Sequence, residues 1–178
     1  MDIKTSLERF YDAEAEAYYY TRNKHRPDAD IVIDALLSSG KKTIKILEFG
    51  CGSGRLLAHL KTISGVRIEY TGVDLSQKLL GFAKKQLGTS KHIKATFVHD
   101  DIIHYIAGCK QESFDIVVGI ASFQHIPTPQ ERFFLIKNVY RILIYGGKLI
   151  MTNRSYSRRF LKKYRKVCLY ALRSSLIS

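Results

Sequence analysis

The order of apolar and polar positions predicts a chain that alternates strands and helices from residue 44 onward. Apolar runs of strand length are separated by segments whose apolar residues recur at helical spacing. The predicted strands are 44–49, 67–74, 94–99, 114–121 and 147–152, and the predicted helices between them are 54–63, 76–87, 101–108 and 129–143. Such alternation predicts an α/β fold, a doubly wound and mostly parallel sheet with helices on both faces.

Two helices are predicted before the first strand. Residues 1–24 carry apolar side chains at helical spacing, and Pro27 ends that pattern. A second helix begins at Asp28 or Asp30, because an acidic residue caps a helix start well. We therefore predict that residues 1–40 form cap helices that precede the sheet.

The end of the chain predicts a further helix. Residues 155–173 place apolar side chains on one face and Lys and Arg on the other, so we expect an amphipathic helix that covers the strand 147–152. With 178 residues, 46% of them hydrophobic, the chain suits one globular domain over 1–178. Its predicted core is 41–153, followed by the basic segment 154–178.

The first predicted strand ends in a glycine turn. Glu48-Phe49-Gly50-Cys51-Gly52-Ser53-Gly54 follows an apolar run and precedes a helical pattern. A strand that leads through glycines into a helix brings backbone N–H groups against a nucleotide-like ligand in many doubly wound sheets. The alternative is a plain strand-to-helix loop, and the residues at the ends of the next strands bear on that choice.

Acidic residues end the second and third predicted strands. Asp74 lies 20 residues after Gly54, where an acid accepts hydrogen bonds from a ribose diol, or else belongs with Ser76 to the cap of the next helix. Asp100 and Asp101 end the third strand, where a carboxylate or nearby backbone group recognises an adenine amino group; the alternative is a solvated loop. The carboxyl ends of parallel strands meet at one edge, which favours a ligand site there.

These motifs, taken together, resemble the class I S-adenosylmethionine-dependent methyltransferases. The resemblance runs from about residue 46 to 153. It involves the glycine turn, Gly72-Val73-Asp74-Leu75-Ser76, His99-Asp100-Asp101-Ile102, Phe114-Asp115-Ile116-Val117, Gln124-His125-Ile126-Pro127 and Tyr140-Arg141-Ile142-Leu143 before Gly146-Gly147. It implies a Rossmann-like methyltransferase sheet and S-adenosyl-L-methionine as the cofactor.

The resemblance also implies a set of cofactor-binding residues. The three loop glycines would lie under the methionine part, Asp74 would hold the ribose hydroxyls, and Asp100 would face the adenine amino group with Asp101 or Ile102 beside the ring. The full set is Arg22, Glu48, Gly50, Cys51, Gly52, Gly54, Asp74, Leu75, Asp100, Asp101, Ile102 and Ala121.

Further roles in that set follow from the family. Ala121 would line the floor near the sulfonium, and Glu48 would orient the loop or the cofactor's amino group. In this family the segment before the sheet folds over the cofactor, so Arg22 would pair with the methionine carboxylate. The tyrosines around it, Tyr11 included, suit a contact between a cap helix and the core equally well. We interpret Cys51 as a small packing residue in the turn, not as a nucleophile.

His125 is the candidate catalytic residue. Methyl transfer from a sulfonium is an in-line displacement whose leaving group is already good, so the protein mainly aligns and desolvates the reactants. His125 follows the fourth strand, where it would act as a base or orient the acceptor. The alternative is that it caps the turn before Pro127.

The net charge of +13 bears on the acceptor. Residues 154–178 contribute +8 and contain no acid, so a basic surface over 154–173 is predicted to bind tRNA, or else is a solvated helix face. The pattern from Tyr20 to Lys24, together with the Gln124 to Pro127 and Tyr140 to Leu143 motifs, looks like the branch related to tRNA wobble-uridine carboxymethyl methyltransferases, although Ile144-Tyr145 departs from that branch's Lys-Pro. A small-molecule O-, N- or C-methyltransferase and a cofactor-binding, non-catalytic subunit are the alternatives.

Composition argues against several other classes. Three widely spaced cysteines and six histidines without ligand spacing predict no disulfide framework and no metal site. Neither a transmembrane run nor a signal peptide is recognisable, so we expect a cytoplasmic protein without a membrane partner.

A sheet of this family has seven strands and only five are predicted here. The last two edge strands are therefore expected to be missing, and the open edge would suit a protein partner.

Overall fold

A computed structural model describes residues 3–21, 27–154 and 166–172. The helices are α1 (Ile3–Ala13), α2 (Ala15–Thr21), α3 (Pro27–Leu37), α4 (Arg55–Leu60), α5 (Gln77–Leu87), α6 (Ile102–Ala107) and α7 (Pro129–Ile142). The strands are β1 (Thr43–Phe49), β2 (Arg67–Asp74), β3 (Ile93–His99), β4 (Phe114–Ile120), β5 (Leu143–Arg154) and β6 (Lys166–Leu172). A 3₁₀ turn spans Phe123–His125.

The strands form one sheet in the order β3-β2-β1-β4-β5-β6. The first five are parallel, as the alternating pattern predicts. The chain moves outward from β1 through β2 to β3 and then returns to the other side of β1 for β4. This reversal opens a crevice at the carboxyl ends of β1 and β4, which is where doubly wound sheets bind ligands.

Two apolar cores cover the two faces of the sheet. Ile44 and Ile46 of β1 pack in one core with apolar side chains of α3, α4 and α5. Leu47 and Phe49, on the opposite face of the same strand, pack in the other with side chains of α6 and α7. Both faces of β1 are buried from Ile46 to Phe49, where three of the four residues are apolar.

The helix predicted over 155–173 is wrong for the part of it that is described. Lys166–Leu172 is β6, antiparallel to β5, with Lys166 opposite Arg154 and Leu172 opposite Lys148. The physical reason is the open edge of β5, whose backbone N–H and C=O groups gain partners when a strand pairs with them. One of the two edge strands that were expected to be missing is therefore present. Residues 155–165 lie outside the described residues. The protein partner expected at the sheet edge stays a prediction.

Arg141 joins the carboxyl ends of α6 and α7. Its Nη1 donates to the Cys109 carbonyl at 2.6 Å, its Nη2 to the Ile106 carbonyl at 2.9 Å, and its Nε to Asn138 Oδ1 at 3.0 Å. The carbonyls at the end of a helix have no partner within that helix, so the planar guanidinium satisfies groups that would otherwise need water. This geometry explains an arginine just before β5.

We expect Arg141→Ala to lower the free energy of unfolding by about 2 kcal/mol, because three hydrogen bonds from a charged donor are lost. Urea denaturation would measure the change. Lys137→Ala, an exposed residue of the same helix, is the matched control and should change stability by less than about 0.5 kcal/mol. Equal stability of the two variants would contradict this role for Arg141.

Candidate active site

A cleft lies over the carboxyl ends of β1, β2, β3 and β4 and is covered by α1 and α2. Its open space, including its mouth, is about 840 Å³. Nine of the residues predicted from the sequence line it: Gly50, Gly52, Asp74, Leu75, Asp100, Asp101, Ile102, Ala121 and His125. Glu48 and Cys51 line an adjoining recess, together with Gly50 and Gly52. Arg22 lies outside the described residues.

The glycine turn has the shape that its sequence predicts. Gly50 has a φ of 65°, and a Cβ there would lie 2.3 Å from Ser122 Oγ. Gly54 has a φ of 77°, and a Cβ there would lie 3.0 Å from the Ala83 Cα of α5. Any larger residue would strain the backbone and collide with its neighbour at both positions. The turn therefore presents bare backbone to the cleft, and its last glycine lets α5 pack closely.

Asp74 connects the glycine turn to the start of α5. Its Oδ2 accepts a hydrogen bond from the Gly52 N–H at 2.7 Å, and its Oδ1 accepts one from the Ser76 N–H at 2.9 Å. Burial raises the pKa of this carboxyl, and the two N–H donors oppose that rise. Ser76 is the N-cap of α5, through its Oγ and the Leu79 N–H. A carboxylate has about four acceptor positions, so Asp74 keeps some for a ligand in the cleft.

Asp100 and Asp101 have different partners. Asp100 accepts from the Asp101 N–H at 2.8 Å, and its other oxygen lies 2.8 Å from His104 Nδ1. Asp101 is the N-cap of α6, because its carboxylate accepts from the Ile103 N–H at 3.0 Å. The carboxylate of Asp101 thus caps the start of α6. Asp100 lies at the cleft wall, where the resemblance places the adenine.

Charged residues one helical turn apart fasten α1 over the cleft. Lys4 Nζ forms ion pairs with Asp101 and with Glu131, the latter at 2.6 Å. Glu8 lies 3.3 Å from His99 Nε2. Asp12 accepts from the Ser76 hydroxyl at 2.5 Å and from the Lys78 N–H at 3.2 Å. Sequence reasoning missed these residues, although their spacing of four already marks one face of a helix.

Tyr11, from the same helix, reaches His125. Its hydroxyl lies 3.1 Å from His125 Nε2, and the two rings meet edge to face with centroids 5.8 Å apart. Tyr18 packs against Tyr11 in the same way at 5.9 Å. The structure thus brings the candidate catalytic histidine together with an aromatic residue for which the sequence left open both a role over the cofactor and a packing role in a cap helix.

The end of β4 is strained. Ala121 has a φ of 53°, a left-handed conformation that is unfavourable for a residue with a Cβ. Its N–H donates to the Thr152 carbonyl of β5 at 2.8 Å, which holds the conformation in place. Backbone strain of this kind is concentrated at functional sites, and Ala121 lines the cleft.

The groups beneath the glycine turn are neutral or paired. Glu48 is buried and accepts a hydrogen bond from the Tyr70 hydroxyl. Burial raises the pKa of the Cys51 thiol well above its usual value, helped by the nearby Asp74 and Glu48 carboxylates. A neutral, buried thiol is a poor nucleophile, which supports the interpretation of Cys51 as a packing residue.

Metal chemistry and membrane spanning find no support in the parts of the chain just described. Residues 3–21, 27–154 and 166–172 contain no group of three or more His, Cys, Asp or Glu side chains arranged to hold a metal ion. Over the same residues, no helix combines the length and the apolar character needed to span a bilayer.

Comparison with known proteins identifies the family. The sequence model of a methyltransferase domain matches residues 46–147, which is more than half of the chain. The chain belongs to the methyltransferase domain family. The match begins inside β1 and ends in β5, so it covers the strands whose carboxyl ends form the cleft.

Curated relatives of this methyltransferase domain are longer proteins. Malonyl-[acyl-carrier protein] O-methyltransferase 1 of Ilyobacter polytropus is 27% identical over 86% of this chain and 54% of its own length. Arsenite methyltransferase of Rattus norvegicus is 32% identical over 61% of this chain and 31% of its own. Ubiquinone biosynthesis O-methyltransferase of Haemophilus ducreyi is 30% identical over 71% and 51%. The chain therefore spans about half, or less, of the relatives it matches.

Solved structures share the fold. Magnesium protoporphyrin IX methyltransferase from Synechocystis, determined with bound S-adenosylmethionine, covers 98% of both chains with a TM-score of 0.70 and 19% identity. An S-adenosylmethionine-dependent methyltransferase from Methanosarcina mazei is 26% identical, with a TM-score of 0.60, over 80% of this chain and 63% of its own. These similarities confirm the Rossmann-like sheet expected from the sequence.

We expect Lys4→Ala to loosen α1, because Asp101 and Glu131 lose their shared cation. These side chains are partly buried, so the loss should be about 1 kcal/mol, or about fivefold faster hydrogen exchange over 3–13. Arg9→Ala, an exposed cation on the same helix, is the control. Unchanged exchange in Lys4→Ala would contradict the fastening role.

The effect of Lys4→Ala should depend on pH. Burial lowers the pKa of Lys4, but Asp101 and Glu131 outweigh it and raise that pKa, so the lysine stays charged at acidic and neutral pH. Lys4 and the Thr128 cap lower the pKa of Glu131 against the opposing effect of burial. A carboxyl whose pKa is lower in the folded protein than in the unfolded chain stabilises the folded state at pH values above its usual pKa of 4.5. That stabilisation is lost as the pH falls through the pKa of the folded state. The difference in Tm between Lys4→Ala and the unmodified protein should therefore shrink below pH 4.5.

Proposed function

We propose that this domain binds S-adenosyl-L-methionine and transfers its methyl group to a small-molecule acceptor. The observation that carries the proposal is the convergence, at one cleft, of the glycine turn, Asp74 and the strained end of β4. Membership of the methyltransferase domain family supports the same reaction class. The convergence matters because three separate strands contribute to it.

The residues present fit the cofactor. Gly50 and Gly52 present bare backbone to the cleft, and Gly54 lets α5 pack closely beneath the turn. Asp74 would accept hydrogen bonds from the ribose hydroxyls, and Asp100 would face the adenine with Ile102 beside the ring. Bound S-adenosyl-L-methionine would supply a methyl group activated by its positively charged sulfur.

Tyr11 and His125 would act on the acceptor. They are within hydrogen-bond distance of each other and line the same cleft, one from α1 and one after β4. An acceptor hydroxyl, amine or thiol would take the place of the tyrosine hydroxyl at His125 Nε2 and give its proton to the imidazole, while the displaced tyrosine hydroxyl would orient it. The α1 cover keeps bulk water from this end, which favours displacement at the sulfonium.

A small acceptor is favoured over tRNA. The relatives reported above are named for a malonyl carrier protein, arsenite and ubiquinone biosynthesis. α1 is fastened across the cleft, so a nucleotide base within a folded RNA would have to displace it. The wobble-uridine prediction came from a resemblance of short motifs, and the basic surface over 154–173 was compatible with it; most of that surface lies outside the described residues.

We expect Asp74→Ala to weaken S-adenosylhomocysteine binding at least tenfold, because two ribose hydrogen bonds to a carboxylate are lost. Titration calorimetry would measure the affinity, and thermal melting would verify folding. Glu69→Ala is the matched control, since Glu69 is an exposed acid on the same strand. Unaltered affinity in a folded Asp74→Ala protein would refute the ribose assignment.

Acceptors can be compared by transfer of labelled methyl to a catechol, arsenite, a malonyl thioester and bulk tRNA. We expect a small acceptor to be labelled, with kcat lowered about a hundredfold by His125→Asn and about tenfold by Tyr11→Phe. Label on tRNA would favour the wobble-uridine prediction instead. Tight cofactor binding without transfer to any acceptor would favour the non-catalytic subunit.

A further inference from the structure

Four apolar residues that line the cleft have no part in the cofactor assignment. They are Leu7 of α1, Ile103 of the first turn of α6, and Ile126 and Pro127 of the segment between His125 and α7. We call these four residues the apolar wall. They line the same cleft as the candidate catalytic histidine, so they belong to the space that is left for the acceptor.

The backbone of the apolar wall offers little to a polar ligand. The Ile103 N–H donates to Asp101 Oδ1 at 3.0 Å, and the Ile126 N–H donates to the Phe123 carbonyl at 3.2 Å. The Ile126 carbonyl accepts from Arg132 Nε at 2.8 Å. Because these groups already have partners, a polar substituent placed against the wall would lose its hydrogen bonds to water without replacing them.

One face of α1 covers this space. Lys4, Leu7 and Tyr11 follow one another at spacings of three and four residues, so they lie on the same side of the helix, and all three line the cleft. Seven residues of helix rise about 10 Å, which is enough to span an aromatic ring with one substituent. A ring beneath Leu7 would have the Tyr11–His125 pair at one end and Lys4 at the other.

The Lys4 end of this space is net negative. Within the described ranges, Lys4 is the one lysine or arginine that lines the cleft, and its Nζ is paired with both Asp101 and Glu131. Two carboxylates therefore share one ammonium group. The three side chains are between 22% and 27% exposed, so solvent screens only part of their charge. An anionic substituent of the acceptor would meet like charge here.

We infer that the acceptor is an uncharged aromatic hydroxyl compound, a phenol or a catechol, whose ring lies against the apolar wall and whose hydroxyl lies at His125 Nε2. A phenol suits this base better than an alkyl alcohol does, because a phenolic hydroxyl has a pKa of about 10. Acceptors that carry a carboxylate or another anion are disfavoured at the Lys4 end.

The transfer step balances with the groups named. The acceptor oxygen would bond to the methyl carbon of S-adenosyl-L-methionine as the bond from that carbon to sulfur breaks, and the electron pair of the broken bond would stay on sulfur. The hydroxyl proton would pass to the imidazole of His125. This inference rests on the proposed function and deepens it, because it names the acceptor class of the same site.

Two acceptors that differ in one substituent test the class. 4-Methylcatechol and 3,4-dihydroxybenzoate share a ring with two adjacent hydroxyls, and the methyl group of the first is a carboxylate in the second. Transfer of labelled methyl would give kcat and KM for both. We expect kcat/KM to be at least tenfold higher for 4-methylcatechol, because the carboxylate would meet Asp101 and Glu131. Equal values, or a preference for the benzoate, would overturn the inference.

Glu131→Gln tests the charge at the Lys4 end. The substitution leaves Lys4 with one carboxylate in place of two, so the ratio of kcat/KM for 4-methylcatechol to that for 3,4-dihydroxybenzoate should fall at least fivefold. A mere loosening of α1 would change both values by the same factor and preserve the ratio. Glu69→Gln, at an exposed acid of β2, is the control. An unchanged ratio in Glu131→Gln would count against the inference.

Leu7→Asn tests the apolar wall. We expect KM for 4-methylcatechol to rise about tenfold, because the ring loses an apolar contact. Calorimetry should show the same affinity for S-adenosylhomocysteine as the unmodified protein has. Ile3→Asn is the control, since Ile3 belongs to the same helix, is 57% exposed and does not line the cleft. No rise in KM, or an equal loss of S-adenosylhomocysteine affinity, would contradict the wall.

Failure of the acceptor class and failure of the proposed function give different results. Label on arsenite or on a malonyl thioester, but on neither catechol, would overturn this inference and leave methyl transfer to a small acceptor standing. If the unmodified protein does not bind S-adenosylhomocysteine, the proposed function fails and this inference fails with it.

Discussion

The cleft depends on one partly buried carboxylate. Asp74 accepts from the Gly52 N–H of the turn after β1 and from the Ser76 N–H at the start of α5, so a single side chain sets the spacing between two neighbouring strand ends. Burial works against its charge, and the two backbone donors compensate. Without this acceptor both N–H groups would lose a partner. The position of the glycine turn relative to β2 therefore follows from Asp74.

The helix α1, which covers the cleft, is held in place by residues that lie next to those proposed to face the ligand. Asp12 binds Ser76, two residues after Asp74, and Lys4 binds Asp101, next to Asp100. Tyr11 contacts His125. Each contact joins α1 to the end of a different strand or its following turn, so the helix and the strand ends form one unit. Displacement of α1 would open the cleft and would, at the same time, separate Tyr11 from His125.

The core was predictable because local patterns and tertiary packing agree there. β1, β2, β3 and β4 lie within one residue of their predicted bounds, because each is a short run rich in apolar and β-branched residues that ends at turn residues or acids. The glycine turn and Asp74 were predictable because only glycine fits the backbone and few residues other than an acid accept from two N–H groups. Lys4 and Asp12 were not, because a charged residue on an amphipathic helix has the same local pattern whether it faces water or a partner distant in sequence.

The sequence by itself determined the alternation of strands and helices, the glycine turn and the acids at the strand ends, because each of these depends on residues that are neighbours along the chain. Only the tertiary structure decided that Lys166–Leu172 pairs with β5 as a strand, because the order of the whole sheet decides which edge of β5 is left open for a partner. It alone also brought Tyr11 to His125 and left the Ser53 hydroxyl without a hydrogen-bond partner among the residues that the structure describes. Whether a side chain is paired depends on what the fold places beside it, and local sequence does not contain that information.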